Sequence, residues 1–136
     1  MGVLIDASIL IDAERGRIDL VARVADQPDE EAFLSIITAS ELLHGVHRAI
    51  HVEQRARRAA FVEALLQRLP VLDVDLAAAR AHARTRADLA AAGQRIGAHD
   101  LWLAATCIAH GLTLVTSNER EFTRVPGLRL QTWRDD

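Results

Sequence analysis

Asp6, Glu41, Asp100 and Asn118 stand where polar side chains could do chemistry together. Asp6 ends the apolar run Val3-Leu4-Ile5, and Glu41 comes four residues after the run Phe33 to Ile37. Asp100 opens a helical pattern in which Leu103, Ala104 and Cys107 follow at three, four and seven residues, and Asn118 follows the run Leu112 to Thr116. Three carboxylates and an amide are hard oxygen donors, suited to Mg²⁺ or Mn²⁺ and poorly suited to zinc. One such cation, or two about 4 Å apart, can activate water and stabilise the leaving oxygen of a phosphodiester. Each residue also has a purely structural reading. Asp6 could cap a helix, Thr38 to Glu41 fits a capping box, Asp100 suits a helix dipole and Asn118 suits a turn. Asp100 departs most from that reading, because a carboxylate buried on an apolar face is costly without a cation or donors.

The rest of the composition narrows the chemistry. The chain has 136 residues, half of them hydrophobic and 26% charged, which fits one globular domain spanning residues 1–136. All sixteen basic residues are Arg, so a Walker A loop, a Schiff base and a lysine base are excluded. Cys107 is the single cysteine, which excludes an intrachain disulfide and a Cys-based zinc site and reads as a buried core residue. Met1 to Leu10 has no basic start, and Asp6 interrupts its apolar run, so no secretory signal is expected and a cytoplasmic location is. The apolar stretch from Leu101 to Asn118 is split by His110 and Gly111, and reads as helix then strand, with no membrane span. Net charge is -3, so bulk charge does not announce a nucleic-acid partner.

These residues need elements to position them. The spacing predicts a strand at Val3–Ile5, a helix from Ser8 to Glu14, a second helix through Ile18 to Val24, and a strand from Phe33 to Ile37 running into a helix that ends near His47. An amphipathic helix from Val52 to Leu69 stops at Pro70, and a short strand at Val71, Leu72 and Val74 precedes an Ala- and Arg-rich helix from Asp75 to Ala92. A helix from Ala98 to His110, a strand from Leu112 to Thr116, a turn at Phe122 and a last strand around Leu128, Leu130 and Trp133 complete the reading. Alternating strands and helices predict a three-layer α/β/α sandwich around a mainly parallel sheet. Ligands of such sheets gather at the carboxyl ends of the strands, where all four polar residues fall.

Taken in order, these segments resemble the PIN domain and, more narrowly, the VapC toxins of bacterial toxin–antitoxin pairs. The resemblance rests on Val3-Leu4-Ile5-Asp6-Ala7-Ser8, on Thr38-x-x-Glu41, on Ile96 to Ala105, and on Leu114-Val115-Thr116-Ser117-Asn118 with Glu121-Phe122. It implies an endoribonuclease dependent on Mg²⁺ or Mn²⁺, with Asp6, Glu41 and Asp100 as metal ligands. Asn118 falls at a fourth catalytic position that is Asp in many PIN domains, and Ser8, Thr116 and Glu121 would be supporting residues. In-line attack by a metal-activated water would leave a 5′-phosphate and a 3′-hydroxyl. The resemblance further implies an RNA substrate, a homodimer and a cognate antitoxin whose C-terminal segment fills a groove.

Other readings compete. A phosphotransfer module of receiver or haloacid-dehalogenase type would need the Lys this chain lacks. A catalytically inactive PIN-fold interaction or RNA-binding module is favoured only by Asn118. His99, beside Asp100, is a poor candidate base because adjacent helical residues point about 100° apart. His44, His47 and His51 share a face if their helix continues, and read as a polar face or subunit contact. Arg48, Arg55, Arg57 and Arg58 form one basic cluster, and Arg80, Arg84, Arg86 and Arg95 another.

Overall fold

The computed structural model describes residues 2–133. Five strands, β1 (Gly2–Ile5), β2 (Glu31–Ser35), β3 (Val71–Leu72), β4 (Thr113–Val115) and β5 (Leu130–Gln131), form one sheet in the order β3-β2-β1-β4-β5. Every pairing is parallel, with Leu4 opposite Phe33 on one side and Leu114 on the other. Seven helices connect the strands among the described residues: α1 (Ala7–Glu14), α2 (Leu20–Ala25), α3 (Ile36–Arg48), α4 (Val52–Arg68), α5 (Leu76–Ala91), α6 (Ala98–His110) and α7 (Glu119–Phe122).

Side chains alternate across a strand, and the core follows that alternation. Val3 and Ile5 join Ile9, Leu10, Val62 and Leu65 on one face, while Leu4 joins Leu103, Cys107, Leu114 and Phe122 on the other. Both faces are therefore covered, as a parallel sheet requires. Burial pushes the Cys107 thiol up to about 12, consistent with a core residue. A stacked His82–Trp102 pair, with ring centroids 3.7 Å apart, ties α5 to α6. Gly111, at a φ of 66°, closes α6 in the left-handed region and turns the chain into β4. No helix among the described residues is long and apolar enough to cross a membrane.

The chain runs from central β1 outward to β2 and β3, then returns to place β4 on the other side of β1. The switch point therefore lies between the carboxyl ends of β1 and β4, the crevice where open parallel sheets bind ligands. Asp6 directly follows one of these strands and Thr116 the other.

The passage from β2 into α3 differs from the sequence reading. Ile36 and Ile37 belong to α3, because Ser35 Oγ accepts from the Ile37 amide at 3.0 Å and starts the helix at once. That cap overrides the strand preference of two β-branched residues. Thr38 thus lies inside the helix, and its buried hydroxyl has no partner among the described residues, so the capping box does not form. The helix ends close to the expected His47, so the single face that His44, His47 and His51 would share on a continued helix does not form. α3 ends at Arg48, His51 is the N-cap of α4, and Arg55 donates twice to the Ala49 carbonyl at the break, at 3.1 and 2.8 Å.

Phe122 is fully buried and anchors the four-residue α7 to the core. Phe122→Ala is expected to cost about 3–5 kcal/mol in denaturant unfolding. A loss below about 1 kcal/mol would show that α7 is not held by this side chain.

Candidate active site

Asp6 occupies the N-cap position of α1, yet its carboxylate makes no capping hydrogen bond. It turns across the sheet edge, where Ser8 Oγ donates at 2.7 Å and Thr116 Oγ1 at 2.8 Å, both to Oδ2. These hydroxyls are fixed in turn. Ser117 N donates to Ser8 Oγ at 3.1 Å, and Asn118 N donates to Thr116 Oγ1 at 3.0 Å. Asp6 is 7% exposed and Thr116 fully buried. The network stitches the ends of β1 and β4 together and leaves the second Asp6 oxygen for another ligand.

Asp100 enters from the first turn of α6, whose N-cap is Gly97. Burial pushes its carboxyl up to about 7, helped by a hydrogen bond with Glu121 and by the charges of Glu121, Asp6 and Glu41. Those causes place four carboxylates within electrostatic reach at one sheet edge. Glu121 is the ionised member of its pair with Asp100. It is held below the ordinary carboxylate range first by the Gly97 amide, which donates to Oε1 at 2.8 Å. Asn118 Nδ2 donates to the other Glu121 oxygen at 2.9 Å.

Glu41 is turned toward α6, with Oε1 2.6 Å from His99 Nδ1. An imidazole proton on that nitrogen donates to the carboxylate. Sequence spacing missed this contact because it compared His99 only with its neighbour Asp100, whereas the partner comes from α3. With Glu41 drawn to His99 and Asp100 to Glu121, no three His, Cys, Asp or Glu side chains among the described residues already stand at ligand spacing. The donor chemistry nevertheless fits a hard divalent cation. Oxygen groups converge, one carboxyl is hard to ionise beside the others, and a cation would relieve that repulsion. Asp6, Glu41 and Asp100 could hold it, with Glu121 adjacent and Asn118 acting as the clasp on Glu121.

The fold and this edge cluster define a class. The chain belongs to the PIN domain family, whose model matches residues 3–128. Within that family it is similar to Ribonuclease VapC1 of Rickettsia felis, with 36% identity covering 97% of this chain and 96% of that protein. It is also similar to a tRNA(fMet)-specific endonuclease VapC of Salmonella typhimurium, with 40% identity over 74% of each. Among solved structures, DNA-bound VapBC from Salmonella typhimurium superposes with a TM-score of 0.88 at 31% identity, covering 98% of each chain.

Asp100 gives the metal-free protein a defined pH dependence. Its folded value lies above the ordinary 3.8, so ionising it opposes folding; the cost is absent below about pH 4 and complete above about pH 7. In chelator, Asp100→Asn should raise the melting temperature more at about pH 8 than at about pH 5. An equal change at both would contradict this electrostatic assignment.

Proposed function

We propose that this chain is the toxin of a toxin–antitoxin pair, an endoribonuclease that uses Mg²⁺ or Mn²⁺ to hydrolyse RNA phosphodiesters. The convergence of Asp6, Glu41, Asp100 and Glu121 beside the switch point carries this reading, and the similarity to ribonucleases along the whole chain supports it. A divalent ion bound there would supply a more acidic water and neutralise charge developing on the phosphate. The protein's own part is placement. Ser8 and Thr116 fix one oxygen of Asp6, Asn118 and the Gly97 amide fix Glu121, and the first turn of α6 presents Asp100. Asn118 thus holds a carboxylate at the edge instead of supplying one, which favours an active site over an inactive module.

A cognate antitoxin is the proposed protein partner, since the similar solved structures include VapBC toxin–antitoxin complexes. Its segment would fill an apolar hollow of about 850 Å³ between α2 and α4, lined by Leu20, Val24, Phe61 and Leu65. A homodimer would cover Ile36 and Leu43, two partly exposed apolar residues seven apart on α3. Cytoplasmic action suits an RNA substrate and a lone buried thiol.

Purified chain, freed of antitoxin, should cleave RNA in Mg²⁺ or Mn²⁺ and stop in chelator; tRNA(fMet) is the first substrate to try. Ser8→Ala or Thr116→Val should slow cleavage about 10–100-fold, the usual cost of losing a group that orients a ligand. Asp6→Asn and Asp100→Asn should cost more while remaining folded. Parental rates in folded Asp6→Asn and Asp100→Asn would overturn the site.

A further inference from the structure

A ribonuclease built around four carboxylates has an electrostatic problem. RNA phosphates are repelled by the groups meant to act on them, so flanking positive charge must hold the strand. One place on the segment leading into α6 supplies it. Where α5 ends and the chain passes through residues 93–96 toward α6, a hollow of about 550 Å³ opens. Arg86 and Arg95 line it, together with Leu89, Ile96 and Leu101.

Three features suit this hollow to a nucleotide. Both arginines are exposed, and neither is paired with a carboxylate among the described residues, so their forks are available for a phosphate. Leu89 and Leu101 are buried side chains and Ile96 is half-buried, giving an apolar wall on which a base can rest. The hollow is tied to the acidic edge through residues 95–97 and through Arg124, whose charge also acts on Glu121. Ile96 precedes Gly97, whose amide holds Glu121, and Leu101 follows Asp100, adjacent helical positions that point about 100° apart. The same segment therefore presents Asp100 to the carboxylates and Leu101 to the hollow. Arg124 adds a third cation to this rim, its guanidinium donating to the Arg95 carbonyl at 2.8 Å.

We propose that this hollow is a nucleotide subsite: Arg86 and Arg95 bind a backbone phosphate next to the cleaved one, and the base rests against Leu89, Ile96 and Leu101. This rests on the ribonuclease reading and adds the residues that hold the substrate.

The test uses a short fluorescent RNA of randomised sequence, titrated in Mg²⁺ against the full chain carrying Asp100→Asn, which leaves the RNA intact. Adding Arg86→Ala or Arg95→Ala should weaken binding and make the slope of log affinity against log salt shallower by about 0.7 for each lost phosphate contact. Arg57→Ala, on α4, should change neither. On the active chain the same two substitutions should raise KM and leave kcat near the parental value, and Arg86→Lys should recover part of the affinity. Unchanged affinity and salt slope in folded Arg86→Ala and Arg95→Ala would overturn the subsite. So would a loss of antitoxin binding with RNA binding intact, which would make the hollow a protein-docking surface. A parent chain that cleaves no RNA in Mg²⁺ or Mn²⁺ would instead refute the ribonuclease reading, and the anisotropy result would still decide whether the hollow binds RNA.

Discussion

Like charges brought together at one edge of a sheet are the constraint on which the structure turns. Asp6, Glu41, Asp100 and Glu121 come from four different segments, and burial together with the charges of Glu121, Asp6 and Glu41 makes Asp100 costly to ionise. The protein answers the repulsion with donors. Two hydroxyls serve Asp6, a backbone amide and an Asn amide serve Glu121, an imidazole serves Glu41, and Asp100 is left to share a proton with Glu121. The repulsion that these donors leave is what a bound cation would relieve.

That arrangement needs stiff backing, and the parallel sheet supplies it. β1 runs through the centre, buried on both faces, so the position of Asp6 is set by strands on either side. Thr116 and Ser8 then bond across the β1–β4 seam, which makes carboxylate orientation part of the sheet's own closure. α7 is only four residues long and is held by the burial of Phe122, one position beyond Glu121. Core packing on that face thereby fixes a charged group on the edge.

Much of this was legible in residue spacing. Val3 to Ile5, the α6 pattern and the split at Gly111 each combine a clear period with a clear terminator, and their elements formed as read. Asp6, Asp100 and Thr116 were legible because strand ends in an alternating fold share one edge. Local pairs of signals were misread where a cap competed with propensity. Ser35 turned Ile36 and Ile37 into helix. Contacts between distant segments lay beyond any local pattern, as with His99 meeting Glu41 across 58 residues and Glu121 meeting the Gly97 amide. The Arg86 and Arg95 hollow belongs to the same kind: sequence grouped the arginines, and only the fold set two of them around one hollow.

Whether the carboxylate edge receives a cation decides the role of this site. An anomalous difference map from crystals of the chain grown with Mn²⁺ addresses this directly. A strong peak is expected at ligand distance from Asp6, Glu41 and Asp100, with Glu41 released from His99 and Asp100 from its shared proton. Manganese bound only elsewhere, with Glu41 still on His99 and Asp100 still on Glu121, would contradict the metal-site reading.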